Sequence, residues 1–190
     1  MLREQRERER TQSIHNSMME QFNAIADESL TVIRSNVMQE FRQAVARKGL
    51  LEEAEEHKAD LTGRHILLVE DMLINAEIMT ELLEMRDMKA DHAENGQIAL
   101  EMFEQSERGH YDAILMDVRM PVMNGLEATE AIRSLNRADA KKIPIIAMTA
   151  NAFDEDVQLS LQVGMNAHLT KPVEPQHLFE TLEGMIRDNG

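Results

Sequence analysis

The pattern of apolar and polar positions along the chain changes near residue 63. From there on, apolar runs of five or six residues alternate with stretches of helical spacing. Strands alternating with helices predict an α/β fold with a doubly wound, five-stranded parallel sheet. The pattern places strands at about residues 65–70, 89–93, 112–117, 143–148 and 166–170, and helices at about 73–86, 96–106, 124–134, 152–163 and 174–187.

Three of the predicted strands are apolar throughout. The runs ILLV, AILM and IIAM contain no polar residue, as expected for central strands that are buried on both faces. The run at 89–93 alternates apolar and polar residues and suits an edge strand. In such sheets the ligand crevice lies beyond the carboxyl ends of the strands, where the strand order reverses.

Residues 1–60 have a different pattern and predict a long amphipathic α-helix followed by a linker. This segment has no proline and one glycine, Gly49, where the helix can break, and its apolar residues recur at helical spacing from Phe22 to Val45. A single helix of this length needs a partner for its apolar face. Two interpretations stay open: the helix packs on the domain at 61–190, or residues 14–45 form a homodimer as a coiled coil or half of a helical bundle.

Composition narrows the classes of function. The absence of cysteine excludes disulfides, thiol catalysis and cysteine-ligated zinc. The sequence contains neither a run apolar and long enough for membrane insertion nor a signal peptide, which predicts a cytoplasmic location. A net charge of −15, with no Trp and one Tyr, argues against direct binding of nucleic acid.

Five polar residues lie where the predicted strands end, and they indicate phosphoryl chemistry. Carboxylates at one edge of a sheet suit magnesium, which prefers hard oxygen ligands, and their mutual repulsion calls for a cation. An aspartate there can also attack phosphorus, since aspartyl phosphates are an established form of covalent catalysis. A hydroxyl and an ammonium group can bind the phosphoryl oxygens. The five residues are Glu70, Asp71, Asp117, Thr149 and Lys171.

These residues belong to motifs that occur in a fixed order: ILLVED, NGQIAL, YDAILMDVRMPVMNGLEATEAIR, PIIAMTA and GMNAHLTKPV. In this arrangement, residues 63–188 resemble the receiver domain of two-component response regulators, most of all the receivers of hybrid sensor histidine kinases. The resemblance implies a flavodoxin-like fold and a Mg²⁺ (or Mn²⁺) cofactor.

The resemblance also implies residue roles. Asp117 would be the phosphoacceptor, and the metal would be held by Glu70, Asp71, Asp117 and the backbone carbonyl of Arg119. Thr149, Ala150 and Lys171 would bind the phosphoryl group, and Thr149 and His168 would act as the switch. The bond between Lys171 and Pro172 would be cis. Arg119 and Asn151 would tune the rate of dephosphorylation.

Two positions depart from the family pattern. Met72 stands where the hybrid-kinase subtype usually has Asn, which predicts that a polar contact near the site is missing. His168 stands where many members have an aromatic switch residue; it could add pH sensitivity near neutrality, although we favour a partly exposed spectator.

The function implied is that of a phosphoacceptor module in a phosphorelay. Asp117 would receive a phosphoryl group from a histidine kinase or histidine phosphotransfer protein and switch a protein-interaction surface. The stand-alone chain would not be an enzyme; histidine kinase activity would require a larger hybrid kinase, of which the chain could be the C-terminal receiver.

Three other interpretations are weaker. A dehalogenase-type aspartyl-phosphate phosphatase needs an acid two positions after its nucleophile, where this chain has Arg119. A degenerate receiver serving as a scaffold is disfavoured because all five site residues are present. His15 lacks the sequence that accompanies phosphoaccepting histidines and is interpreted as a surface residue.

Overall fold

The computed structural model describes residues 61–150 and 154–187, together with the isolated helical positions Ser35, Gln39 and Gln43. The chain divides into two compact units, Met1–Lys48 and Gly49–Gly190, and the elements described below belong to the second. Apart from those three positions, the predicted helix of residues 1–60 and its dimer surface at 14–45 lie outside the described residues, as does Asn151.

Strands and helices alternate along the whole of the second unit. The elements in chain order are β1 (His65–Val69), α1 (Leu73–Glu84), β2 (Lys89–Ala93), α2 (Gly96–Gln105), β3 (Ala113–Asp117), α3 (Gly125–Ser134), a short 3-10 helix (Asp139–Lys141), β4 (Ile145–Thr149), α4 (Asp154–Gln162), β5 (Ala167–Thr170) and α5 (Pro175–Arg187).

The five strands form one parallel sheet in the order β2-β1-β3-β4-β5. The strand order reverses between β1 and β3, which pair in parallel from Ile66↔Ala113 to Val69↔Met116. A doubly wound sheet of this order has its crevice at the carboxyl ends of these two strands. The predicted flavodoxin-like fold is therefore confirmed.

Burial explains why these segments are strands. Every residue of β3 and β4 is buried, whereas β2 is buried only at Ala93 and forms an edge. Side chains alternate between the two faces of each strand. Leu67, Ile114 and Ile145 share one core cluster with apolar residues of α2 and α3. The intervening strand residues face the other side of the sheet, where α5 packs on β3 and β5.

The described strands and α-helices match the sequence-based prediction in number and order. The predicted strand at 143–148 is displaced to Ile145–Thr149. It begins after Pro144 because proline has no backbone N–H to donate to a sheet. The 3-10 helix was not predicted. Among the described residues, we find no helix with the length and apolarity required to cross a membrane.

Candidate functional site

The carboxyl edge of the sheet brings the predicted polar residues to one place. Glu70 follows β1, Asp117 is the last residue of β3 and Thr149 is the last residue of β4. Lys171 follows β5, and its backbone N–H donates to the carbonyl of Thr149 at 2.8 Å. Because neighbouring parallel strands end at the same level, residues distant in the sequence share one crevice.

Lys171 connects two buried carboxylates in this crevice. Its Nζ lies 2.5 Å from Oε2 of Glu70 and 2.6 Å from Oδ2 of Asp117. Glu70 is 1% exposed and Asp117 is 6% exposed, so neither carboxylate is well solvated. The ammonium group therefore supplies positive charge that these two buried anions require.

The same contacts determine the ionisation of Lys171. Burial favours the neutral amine, but the hydrogen bonds to Asp117 and Glu70 and the attraction of both carboxylates outweigh this effect. The pKa of Lys171 is consequently raised above its ordinary value. The lysine is therefore a fixed cation at neutral pH, ready to meet another anion that enters the crevice.

Glu70 has further partners that sequence reasoning missed. Asn75 Nδ2, in the first turn of α1, donates to Glu70 Oε1 at 2.9 Å. Nε2 of His92 lies 2.7 Å from the backbone carbonyl oxygen of Glu70. Met72 is 55% exposed at the N-terminal cap of α1 and makes no side-chain cap. The amide beside Glu70 thus comes from Asn75, and the missing polar contact expected at Met72 stays a prediction.

The loop after β3 fixes the other oxygen of Asp117. The backbone N–H of Arg119 donates to Asp117 Oδ1 at 3.1 Å. The loop returns to the strand end at Gly125, whose N–H donates to the carbonyl of Val118 at 3.1 Å. A Cβ at Gly125 would lie 2.1 Å from the carbonyl oxygen of Asp117. The close approach of α3 to the phosphoacceptor candidate therefore requires glycine.

Helix α3 has a strong start next to this loop. The Asn124 side chain accepts from the Glu127 N–H, and the Glu127 side chain accepts from the Asn124 N–H, both at 3.0 Å. This capping box satisfies backbone donors at the beginning of the helix. The loop after β3 therefore ends at a defined point, the capping box at Asn124.

The carboxylates fit a hard divalent cation. Glu70, Asp71 and Asp117 each offer an oxygen, and these atoms lie within 4.8 Å of one another. Asp71 is exposed to solvent while the other two are buried. Both oxygens of Glu70 already accept hydrogen bonds, one from Asn75 and one from Lys171. Both oxygens of Asp117 likewise accept hydrogen bonds, one from the Arg119 N–H and one from Lys171. A metal that enters the cluster would therefore exchange with existing contacts of both buried carboxylates, whereas Asp71 faces solvent.

The remaining predicted residues surround the crevice. Thr149 is buried, whereas Ala150 and Arg119 are exposed. His168 is exposed on β5, and the bond between Lys171 and Pro172 is cis as the resemblance implied. Asn151 lies outside the described residues.

Comparison with known proteins places this geometry in a family. The model of the response regulator receiver domain matches residues 66–183. The chain belongs to the response regulator receiver domain family. That match covers all five strands except His65, the first residue of β1, and it includes the crevice at their carboxyl ends, so this part of the chain is a receiver domain of two-component phosphorelay signalling.

Curated relatives are much longer proteins that contain such a domain. The chain is 35% identical over 157 residues to probable histidine kinase 2 of Oryza sativa subsp. indica, covering 76% of the chain and 15% of that protein. It is 37% identical over 130 residues to hybrid signal transduction histidine kinase I of Dictyostelium discoideum, covering 67% of the chain and 8% of that protein.

Solved receiver structures have the same fold. The receiver domain of a sensor histidine kinase from Pseudomonas aeruginosa, with magnesium in its active-site cleft, is 37% identical with a TM-score of 0.60. The match covers 66% of this chain and 99% of that one. The receiver domain of a Saccharomyces cerevisiae response regulator, co-crystallised with its histidine phosphotransfer protein, is 29% identical with a TM-score of 0.57. This second match covers 66% of the chain and 89% of the other.

Proposed function

We propose that Asp117 accepts a phosphoryl group from a partner phosphohistidine in a magnesium-dependent reaction. The observation that carries the proposal is the position of Lys171, whose ammonium group bridges the buried carboxylates of Glu70 and Asp117. An aspartate held beside a fixed cation at the open edge of a parallel sheet suits the capture of an anionic group.

The proposed reaction is a displacement at phosphorus. A carboxylate oxygen of Asp117 attacks the phosphorus, an O–P bond forms and the N–P bond to the partner imidazole breaks. The imidazole leaves with the electron pair of that bond and takes up a proton. Lys171 exchanges its contact with Asp117 for an oxygen of the transferred group, and Thr149 and the backbone of Ala150 bind other oxygens of that group. The chain's part in catalysis is mainly positioning and charge neutralisation.

Magnesium would be held by Glu70, Asp71, Asp117 and the backbone carbonyl of Arg119. When bound, the ion supplies positive charge that offsets the charge on the transferred phosphoryl oxygens. The oxygen-only donor set favours Mg²⁺, and Mn²⁺ is proposed as a substitute because carboxylates and carbonyls also suit it. The magnesium in the P. aeruginosa receiver, at 37% identity, supports this assignment.

The proposed phosphodonor is a histidine kinase or a histidine phosphotransfer protein. The yeast receiver that is similar to this chain was crystallised with its phosphotransfer protein, and the curated relatives are histidine kinases several times longer than this chain. The alternative, that this chain is a receiver segment of a hybrid kinase, gives Asp117 the same chemistry. Signal output would follow from a change of surface coupled to Thr149, with His168 an exposed spectator on β5, and Arg119 and Asn151 would tune the phosphoryl lifetime.

Residues 1–60 are proposed to act as a helical element separate from the receiver at 61–190. Their apolar spacing supports a homodimer through residues 14–45, which would place two receivers in one assembly. We also propose a cytoplasmic location for the chain.

Intact-mass measurement tests the proposal directly. The full chain is incubated with Mg²⁺ and phosphoramidate, and we expect one added phosphoryl group that hydroxylamine removes, as an acyl phosphate requires. Asp117→Asn should gain none, and neither should the wild type in EDTA. The matched control is Asp87→Asn, at an exposed turn after α1, which should be modified like the wild type. An adduct on Asp117→Asn that equals the wild type would overturn the assignment.

A further inference from the structure

Three chemistry-bearing side chains meet at the end of the sheet opposite to the Asp117 crevice. His65 is the first residue of β1, Asp91 lies in the middle of β2, and His110 lies in the loop between α2 and β3. Leu67 pairs with Asp91 in the sheet, so His65, two residues before Leu67, projects from the same face as Asp91. Glu70 lies five residue steps after His65, or about 16 Å along an extended strand.

The spacing of the three side chains matches a tetrahedral metal site. Oδ2 of Asp91 lies 3.2 Å from Nε2 of His65 and 3.7 Å from Nε2 of His110. One ligand atom from each residue lies within 4.8 Å of the others. Metal bonds of about 2.0–2.1 Å to imidazole and carboxylate separate neighbouring ligands of a tetrahedron by about 3.3–3.4 Å. Small side-chain rotations would bring all three atoms onto one ion.

Surrounding contacts hold these side chains in place. The Tyr111 hydroxyl donates to Asp91 Oδ2 at 2.9 Å, the kind of outer contact that orients a ligating carboxylate. The Tyr111 ring packs edge-on against both imidazoles, with centroid distances of 5.2 Å to His65 and 4.6 Å to His110. The two imidazoles and the carboxylate are therefore held as a preorganised set of metal ligands. Tyr111 orients them without coordinating the metal itself.

Charge and access also suit a cation. Asp91 supplies the negative charge of the cluster, and a bound cation would replace its present contact with Nε2 of His65. The side chains of Asp91 and His110 are each 40% exposed, and that of His65 is 19% exposed. An ion can therefore reach the cluster from solvent and keep a water ligand.

We propose that His65, Asp91 and His110 form a second metal site that binds Zn²⁺, with water completing the coordination. Imidazole ligands favour zinc and other late transition ions, whereas the carboxylate cluster at the opposite edge favours magnesium. A bound ion would connect β1, β2 and the loop before β3, and would thereby stabilise the folded receiver. This site is independent of phosphoryl transfer at Asp117.

Calorimetric titration of the full chain with ZnCl₂ tests the site. Magnesium in the buffer occupies the carboxylate cluster at the opposite edge. The quantity compared between variants is the affinity for zinc. We expect one zinc ion to bind at the His65–Asp91–His110 site of the wild type, and His110→Gln should bind it at least roughly tenfold more weakly. His177 is an exposed histidine on α5, and His177→Gln should bind zinc as the wild type does. Zinc should also raise the Tm of the wild type and of His177→Gln but not that of His110→Gln.

Two further variants keep the test decisive. Asp91→Asn keeps the shape of the side chain but removes its charge, and it should lose zinc even if His110→Gln folds poorly. Tyr111→Phe keeps all three ligands, and affinity should fall by roughly tenfold because the carboxylate loses its orienting bond. Equal zinc affinity in wild type, His110→Gln and Asp91→Asn would overturn the proposal and leave a hydrogen-bonded His–Asp–His cluster.

Discussion

Nζ of Lys171 lies 2.6 Å from Oδ2 of Asp117, so the proposed phosphoacceptor already has a cationic partner before any metal or phosphoryl group enters. The mutual repulsion of three carboxylates in one crevice predicts that a bound cation is required. Lys171 provides that charge for two of them, Glu70 and Asp117. The negative charge of Asp71 therefore favours a second cation in the crevice, and the positive charge of Lys171 favours an anion.

Replacement of Lys171 by Met should destabilise the receiver at neutral pH. Removing one partner of a buried charge cluster leaves uncompensated carboxylates, which costs about 3 kcal/mol in comparable cases. Urea unfolding in EDTA measures the change. Lys142→Met, at an exposed lysine, is the control and should be nearly neutral. Stability of Lys171→Met equal to that of the control would contradict the bridging role.

Replacement of Asn75 by Ala should also lower stability, by about 1–2 kcal/mol. Its amide donates to the buried Glu70 carboxylate at 2.9 Å, and a hydrogen bond to a charged group contributes more than a neutral one. Chemical denaturation compares this variant with Asn136→Ala, whose asparagine is exposed after α3. If both variants unfold at the same denaturant concentration, Asn75 does not hold Glu70.

The fold and the proposed site residues were predictable because they depend on strand order. Apolar runs such as ILLV and AILM identify central strands without reference to any contact. Once those strands are parallel, Glu70, Asp117 and Lys171 must share one edge, whatever their separation in the sequence.

Contacts that depend on side-chain direction could not be predicted in the same way. Asn75 reaches Glu70 only because the first turn of α1 directs it toward the strand end. His65, Asp91 and His110 lie 26 and 19 positions apart, with no recognised motif spacing, and the register of β1 with β2 brings the first two together. The missing polar contact expected at Met72 stays a prediction; Met72 makes no side-chain cap at the start of α1.

Two glycines allow a matched test of the loop that follows β3. Gly125→Ala should be destabilising and should slow phosphoryl acceptance, because its Cβ would lie 2.1 Å from the Asp117 carbonyl oxygen. We expect a cost of about 1–3 kcal/mol, typical of overpacking. Gly184→Ala, in α5 with open space around the added Cβ, should instead stabilise the protein by about 1 kcal/mol. Thermal unfolding and the intact-mass assay measure both; a neutral Gly125→Ala would refute the close approach.

Arg137 is predicted to be irreplaceable by Lys. Its guanidinium lies over the Phe103 ring at 4.5 Å, donates to the carbonyls of Phe103 and Ser106 at the end of α2, and makes a bidentate pair with Asp139. Lysine cannot reproduce this planar fork, so Arg137→Lys should lose roughly 2 kcal/mol. Equilibrium unfolding measures it against Arg108→Lys, an exposed arginine. A change within error of that control would show that charge alone suffices.

Asp139 should make stability depend on acidity in a defined window. The hydrogen bond from Arg137 outweighs the opposing effect of burial and, with a bond from the Gly109 N–H, holds the pKa of Asp139 well below its usual value of 3.8. A carboxyl with a depressed folded-state pKa contributes fully above its unfolded-state pKa, and the contribution is lost as pH falls toward the folded-state value. Asp139→Asn should therefore be less stable than the wild type at pH 7, and the difference should shrink below pH 3.8. The free energy of unfolding of wild type and Asp139→Asn is measured across that pH range. A difference between them that stays constant with pH would show that the ion pair with Arg137 contributes nothing.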